Sequence, residues 1–232
     1  MVALAARRVS SRVQSAECRV QSAECRVHWM VNADLKTIAR PMVRFVRLTD
    51  APAIAGIYAP YVLETPISFE THPPTAAEMR RRIEHYTATH PWLVYEDDGR
   101  ILGYAYATRH HERAAYDWSC EVSVYVDRST HRRGIGRALY RSLFEALRRL
   151  GYYTVLAGVT EPNPASIGLH ESMGFRRTGV HRNVGYKDGH WWDVAYFEAS
   201  LRKVYDHPVT PPKRMDELSE SERGALLQQA PS

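Results

Sequence analysis

Residues 117–140 read DWSCEVSVYVDRSTHRRGIGRALY, and they contain the strand, turn and helix from which the rest of the fold can be inferred. The stretch starts as an apolar strand, crosses a polar and basic turn with a Gly-x-Gly pair, and continues as a sequence typical of a helix. Successive side chains of a strand point to opposite faces of a sheet. One face carries Trp118, Cys120, Val122, Val124 and Val126, and the other carries Ser119, Glu121, Ser123 and Tyr125. A strand this apolar is expected at the centre of a sheet.

The turn after this strand has the composition of an anion site. Backbone N–H groups of a glycine-containing strand-to-helix turn point at a common spot, where the positive end of the helix dipole also lies. Gly134 and Gly136 would let the backbone approach a ligand closely. The basic or donor side chains nearby are His131, Arg132, Arg133 and Arg137. The sequence therefore predicts a phosphate or pyrophosphate site, and the plain alternative is a tight turn with solvated arginines.

Two other phosphate-binding loops fit this turn less well. A Walker loop needs Gly-Lys-Ser/Thr after its second glycine, where this chain has Gly136, Arg137 and Ala138. The dinucleotide fingerprint needs a third glycine at the position of Leu139. Glu161 lies near the spacing of a ribose-binding acid, so a nicotinamide enzyme stays open as an alternative.

Glu121 is the chemically active residue of the strand. A carboxylate on the second face of a central strand is either exposed to solvent or partly buried for a purpose. Partial burial would raise its pKa above the usual value of about 4.3 and make it a better proton acceptor. An exposed carboxylate on a one-sided antiparallel sheet is the competing interpretation.

The chain divides into three parts by composition. Residues 1–41 contain VQSAECR twice in tandem and are interpreted as a disordered leader, with Met30 and Met42 as alternative starts. Residues 42–205 alternate strands and helices, with an antiparallel excess at both ends. That pattern predicts an α+β domain with a central mixed, twisted sheet flanked by helices. Residues 206–232 are rich in proline, serine and charge, and we expect a largely disordered tail.

Charge and cysteine usage limit the possible partners. The net charge of +5 divides into +4 for residues 1–41, +3 for residues 42–205 and −2 for residues 206–232, so charge does not indicate a nucleic acid. No apolar run approaches the roughly 18 residues of a membrane span. Three cysteines at no framework spacing suit a reducing compartment. We predict a cytoplasmic protein without nucleic-acid or membrane partners. The HHE stretch at 110–112 has no partner at ligand spacing, so no metal site is predicted.

Several motifs resemble those of one family. HRRGIG at 131–136 resembles the (Gln/Arg)-x-x-Gly-x-(Gly/Ala) loop with which GNAT-superfamily N-acetyltransferases bind the pyrophosphate of acetyl-CoA. Four further stretches are similar to the phosphinothricin/methionine sulfoximine acetyltransferases: ISFE, RAAYDWSCEVSVYV, NPASIGLHESMGF and GYKDGHWWDVAYF. The motifs keep the family order over residues 42–205. The resemblance implies the GNAT acyl-CoA N-acyltransferase fold, acetyl-CoA as co-substrate and no metal.

The resemblance also implies which residues contact the co-substrate. The end of the strand would hydrogen-bond the pantetheine arm, the turn would wrap the pyrophosphate, and one residue beyond the next strand would touch the cofactor. In that order, these residues are Val124, Tyr125 and Val126; Arg132, Arg133, Gly134, Ile135, Gly136 and Arg137; and Asn163. His131 departs from the family pattern, because a glutamine or arginine usually opens the loop.

Two catalytic residues and an amino-acid pocket follow from the same resemblance. Glu121 would be the general base, acting through a water. His170 stands where many GNAT enzymes have a tyrosine acid, and it would either protonate the departing thiolate or only pack beside it. The pocket would consist of Phe69, Arg113, Tyr116, Glu121, Ser123 and Tyr125, with Arg113 facing an anionic group of the substrate.

These implications lead to one predicted function and its alternatives. The predicted function is acetyl transfer from acetyl-CoA to the α-amino group of a small amino acid or analogue, of the phosphinothricin, methionine sulfoximine or methionine sulfone type. The resemblance implies detoxification as its role and a homodimer as its assembly. The alternatives are a non-catalytic CoA-sensing module on the same fold and the nicotinamide enzyme.

Overall fold

The computed structural model describes residues 41–203 and 210–228. The predicted leader at residues 1–41, apart from its last residue, lies outside the described residues, as do the alternative start Met30 and the tandem repeat. No helix within the described ranges is both long and apolar enough to cross a membrane.

A seven-stranded mixed sheet forms the centre of the fold. Its strands are β1 (Met42–Phe45), β2 (Trp92–Asp97), β3 (Arg100–Arg109), β4 (Ser119–Val126), β5 (Thr154–Glu161), β6 (Arg176–Lys187) and β7 (His190–Ser200). The spatial order is β1-β2-β3-β4-β5-β7-β6, and only the β4–β5 pair is parallel. The predicted mixed sheet with antiparallel pairs on both sides is therefore confirmed.

Helices cover the faces of this sheet. They are α1 (Ala51–Glu64), α2 (Ala76–Thr87), α3 (Ile135–Leu150), α4 (Pro164–Ser172) and the short α5 (Glu220–Ala225). The Thr75 hydroxyl accepts the Glu78 N–H at 3.1 Å and caps α2, as its sequence predicts. Gly151 ends α3 in the left-handed conformation that a C-terminal glycine supplies. The sequence predicts Asp50 as the cap of α1, and this prediction is wrong: the Asp50 carboxylate accepts the Arg47 N–H at 2.7 Å and makes no capping hydrogen bond to α1.

Two hydrophobic clusters lie on opposite faces of the sheet. The first surrounds α3, whose Leu139, Leu143 and Leu147 are completely buried. The second lies under α1 and α2, around Ile54 and Ile83. On β4, Cys120 and Val122 belong to the first cluster and Tyr125 packs against the second, so the predicted alternation of faces is confirmed.

The two central strands separate partway along their length. β4 and β5 pair only through residues 119–121 and 154–156, while β4 stays paired with β3 as far as Val126. Beyond Glu121, β4 therefore has a strand partner on one edge only. The separation leaves a gap in the middle of the sheet, at the end where α3 and α4 begin.

The expectation of a disordered tail is wrong for residues 210–228. Met215, Leu218 and Leu226 are buried in the cluster around α3. The Lys213 N–H donates to the Leu150 carbonyl at 2.8 Å, and the Trp118 indole N–H donates to the Thr210 carbonyl at 3.1 Å. Three apolar anchors in an otherwise polar segment are enough to dock it, although its average composition resembles that of a disordered chain.

Candidate active site

The gap between β4 and β5 opens into a cavity of about 790 Å3. Its walls are the end of β4, the turn that follows, and the first turns of α3 and α4. The predicted co-substrate residues that line it are Val124, Tyr125, Val126, Arg132, Gly134, Ile135, Gly136, Arg137 and Asn163. The fold thus brings together residues that are up to 39 positions apart in the sequence.

The turn has the backbone geometry of an anion cradle. Arg132 and Gly134 both have positive φ angles, of 64° and 79°, and Gly134 is the N-cap of α3. Successive N–H groups in such a turn make a concave site for an anion, and the positive end of the α3 dipole lies at the same place. Gly136 lines the cavity and also has a packing role that the sequence did not indicate. A Cβ there would lie 3.1 Å from the Leu169 side chain, so this glycine allows α3 and α4 to pack closely.

The basic side chains of the turn divide between two directions. Arg132, Arg137 and His131 line the cavity. Arg133 instead extends to Asp97 at 3.3 Å, so its predicted place beside the cofactor is not seen and only its backbone remains near the cradle.

His131 is held by a residue that the sequence did not indicate. The Tyr61 hydroxyl donates to the Val126 carbonyl at 2.6 Å and lies 3.0 Å from His131 Nε2. Because the Tyr61 hydrogen is used on the carbonyl, Nε2 must donate to the Tyr61 oxygen. The other ring nitrogen of His131, Nδ1, takes no part in the hydrogen bond to Tyr61.

The Glu121 side chain is exposed to solvent, as the competing interpretation of the sequence states. Its side chain is 51% exposed, and its Oε1 lies 3.0 Å from His110 Nδ1. It faces Thr108 across the β3–β4 pair and shares its sheet face with Ser123 and Tyr125. His110, considered above only as a metal ligand, is its neighbour.

His170 lies deep at the base of the gap, in a smaller cavity of about 60 Å3. It is only 4% exposed, and burial lowers its pKa. Nδ1 lies 2.7 Å from the Ser166 carbonyl, which can only accept, so Nδ1 carries the hydrogen. Nε2 lies 3.1 Å from the Tyr140 hydroxyl and accepts from it in the neutral ring. Tyr140 is a further site residue that helix periodicity assigns simply to the core.

The predicted pocket residues occupy three locations. Ser123 and Tyr125 line the small cavity from β4. Arg113 and Tyr116 are exposed on the loop before β4, where the Tyr116 ring contacts the His111 ring with centroids 4.7 Å apart. Phe69 is 39% exposed on the loop between α1 and α2. These last three do not line either cavity, so the structure does not gather the whole predicted pocket around one void.

Comparison with known proteins agrees with the arrangement of this site. Residues 43–195 match the family described as an acetyltransferase (GNAT) domain. The chain is 36% identical over 174 residues to a phosphinothricin N-acetyltransferase of Streptomyces viridochromogenes, covering 74% of this chain and 95% of that one. It is 32% identical over 163 residues to an L-methionine sulfoximine/L-methionine sulfone acetyltransferase of Salmonella typhimurium, covering 68% and 94%.

A solved structure supports the same relationship. A GNAT-superfamily phosphinothricin acetyltransferase from Sinorhizobium meliloti, in complex with acetyl-CoA, superimposes with a TM-score of 0.68. It is 31% identical, with 75% of this chain and 93% of that chain covered. The protein belongs to the GNAT family of acetyltransferases, and it is an N-acetyltransferase of that class. Glu161 pairs with Arg177 at 2.8 Å, and family membership leaves the nicotinamide alternative without support.

Proposed function

We propose that the protein transfers an acetyl group from acetyl-CoA to the α-amino group of a small amino acid or analogue. Phosphinothricin, methionine sulfoximine and methionine sulfone define the substrate type, because relatives at 36% and 32% identity carry those names. Detoxification of such compounds is the proposed role. The single observation that carries the proposal is the gap beyond Glu121, which joins an anion cradle to a carboxylate through one strand.

The walls of the cavity fit a long thioester with a diphosphate at one end. The positive-φ turn and the start of α3 offer N–H groups to the diphosphate. Between the turn and Glu121, no strand in the described part of the chain pairs with the second edge of β4, and an extended amide-containing arm can pair with such an edge. The Val126 carbonyl on this edge already accepts the Tyr61 hydroxyl hydrogen. We therefore place the main-chain hydrogen bonds to the amide-containing arm at Val124.

Acetyl-CoA would supply an activated acyl carbon: the amine nitrogen bonds to it, the carbon–sulfur bond breaks, and an amide, a free thiol and one proton result. The α-ammonium of an amino acid has a pKa near 8, so about nine-tenths of it is protonated at pH 7. A base must therefore remove a proton before the nitrogen can react. Glu121, half exposed and reachable by water, is the proposed acceptor, acting through a water.

Positioning and charge stabilisation complete the proposed mechanism. A backbone N–H near Val124 would stabilise negative charge that develops on the acyl oxygen. A thiol with a pKa near 8.5 leaves without much acid help. Neutral His170 donates its one ring hydrogen from Nδ1 to the Ser166 carbonyl and accepts the Tyr140 hydroxyl at Nε2, so it holds no proton directed at a departing thiolate. We therefore expect His170 to contribute less to the rate than Glu121.

The outer edge of the sheet supports a homodimer as part of this proposal. β6 is an edge strand, and the large side chains of Val184, Tyr186 and Trp191 on β6 and β7 are 51%, 62% and 61% exposed. Contiguous exposed apolar side chains on an edge mark interaction surfaces. Sedimentation equilibrium should give twice the chain mass, and Trp191→Lys should shift the protein toward the monomer. A monomeric wild-type protein would refute this assembly.

The cytoplasm is the proposed location, because the buried Cys120 is a free thiol.

A thiol-release screen tests the function. Acetyl-CoA is incubated with the purified protein and phosphinothricin, methionine sulfoximine, methionine sulfone or unmodified amino acids, and free thiol is measured with the mass of the acetylated product. We expect release with at least one of the three analogues. Binding of acetyl-CoA without release for any amine would instead support the non-catalytic sensing module.

A further inference from the structure

β6 carries two buried residues near its end that do not belong to the hydrophobic core. The strand is exposed along most of its length, but Gly185 and Lys187 are buried. They are two positions apart and therefore lie on the same face of the strand, while Tyr186 between them is exposed. Both point toward the loop that connects α1 with α2.

The ammonium group of Lys187 is bound by backbone oxygens of that loop. Lys187 is 5% exposed, and its Nζ donates to the carbonyls of Val62, Thr65 and Ser68 at 2.6, 2.9 and 2.7 Å. All three ammonium hydrogens are thus used. A buried charge is tolerated only when its donors are satisfied, and here one side chain ties the end of α1 to the following loop.

Gly185 leaves space for the aromatic ring of Phe69, which belongs to the same loop. The Phe69 ring lies directly over the Cα of Gly185, so that a Cβ at position 185 would collide with several ring atoms. Any residue other than glycine would displace Phe69, and the ring cannot move toward the strand. This contact explains why a glycine stands in a strand interior, where it is otherwise unfavourable.

The loop is fixed from its other side as well. Arg82 of α2 donates to both carboxylate oxygens of Glu70, at 2.7 and 3.0 Å. The Tyr58 hydroxyl donates to Glu70 at 2.9 Å and lies 2.7 Å from the Ser68 hydroxyl. Between these anchors, the side chain of Ile67 lines both the large and the small cavity.

We propose that Gly185 and Lys187 are positioning residues for the amino-acid pocket: they fix the 65–70 loop through its carbonyl groups and the Phe69 ring, and thereby hold Ile67 against the gap between β4 and β5. The inference rests on the proposed function for its choice of ligand. Neither residue contacts the anion cradle, although Ile67 lines the large cavity as well as the small one. We therefore expect a larger effect on the KM for the amine than on the KM for acetyl-CoA.

A double-mutant cycle tests the role of Gly185. Gly185→Ala should raise the KM for the amine at least about tenfold, with the KM for acetyl-CoA changed less than about twofold. In a Phe69→Ala background the same change should have almost no further effect, because the ring that it displaces is gone. Gly179→Ala on the same strand is the matched control, since a Cβ there meets nothing within 4 Å. An unchanged amine KM in Gly185→Ala, or an effect that persists without Phe69, would overturn the proposal.

Hydrogen exchange tests Lys187 without reference to catalysis. Lys187→Met keeps the apolar stem but removes the three donors, so peptides covering residues 65–70 should exchange at least about tenfold faster, with α3 unchanged. Lys213→Met is the control, because that side chain is 64% exposed and far from the loop in sequence. Wild-type exchange in Lys187→Met would refute the anchoring. If no amine releases thiol from the wild type, the proposed function fails while this measurement still decides the loop.

Discussion

Replacing Gly134 by alanine should destabilise the protein through the backbone alone. A Cβ at this position would meet no atom within 4 Å, so no collision contributes to the effect. The residue has a φ of 79°, however, and a left-handed conformation costs an L-residue with a Cβ roughly 1–2 kcal/mol. We expect the free energy of unfolding of Gly134→Ala to fall by about that amount.

Gly168 is a matched control from the same cavity wall. It lies inside α4, a Cβ there also meets nothing within 4 Å, and its φ is not positive. Alanine should therefore stabilise α4 by about 0.5–1 kcal/mol through the lower backbone entropy of the unfolded chain. The two substitutions add the same methyl group to equally open space, yet they should differ in sign.

Urea denaturation followed by circular dichroism measures both variants. The unfolding free energies of Gly134→Ala and Gly168→Ala should differ by about 1.5–3 kcal/mol, with equal m-values. Gly134→Ala should also raise the KM for acetyl-CoA, because relief of its strain turns the N–H groups of the cradle away from a common point. Equal stabilities for the two variants would refute the argument that backbone conformation selects glycine at position 134.

Three further predictions concern the base, a buried histidine and the C-terminal segment. Glu121→Gln should lower kcat about 10²–10⁴-fold in the thiol-release assay with the KM for acetyl-CoA unchanged, and a kcat near that of wild type would remove Glu121 from the mechanism. Burial lowers the pKa of His90 to about 4, so below pH 6.5 the unfolded chain binds a proton that the folded one does not. His90 should then contribute a fall of up to about 3 kcal/mol in the unfolding free energy between pH 6.5 and 4, in addition to the contribution of buried His170. The slope should be shallower in His90→Gln and unchanged in His72→Gln, and equal slopes in these two variants would contradict this. Met215→Ala should cost about 2–5 kcal/mol in urea denaturation because the side chain is buried, against less than about 0.5 kcal/mol for the exposed Leu63→Ala, and equal costs would mean that residues 210–228 do not dock.

Local patterns in the sequence predicted much of the fold. The spacing of Leu139, Leu143, Leu147 and Leu150 predicts the buried face of α3, and all four are buried. The sequence KDGH at residues 187–190 predicts a hairpin turn, which forms with positive φ at Asp188 and Gly189. The anion cradle was also predictable, because glycines in a strand-to-helix turn act through the backbone of a few adjacent residues. These features depend on interactions within one or two elements.

Other features depend on distant partners and left no local pattern. The separation of β4 from β5 is decided by how far β3 holds β4, which sequence alternation does not record. Lys187 reads as a turn residue of a hairpin, although its ammonium group binds carbonyls 119–125 positions earlier. The exposure of Glu121 could not be predicted either, since alternation assigns a face but not what covers it. The docked 210–228 segment was missed because three apolar anchors hardly change its composition.

The short parallel pairing at the centre of the sheet has a mechanical consequence. Strands β1–β4 and strands β5–β7 are joined in the hydrogen-bonded ladder by only three residue pairs, and a ligand lodged in the gap would bridge both halves like an additional strand. Such a ligand connects the two halves of the sheet in addition to taking part in the reaction. Saturation with this ligand should therefore make the two halves of the sheet unfold together at a higher temperature. After its thioester is cleaved, the thiol product would still connect the two halves until it dissociates.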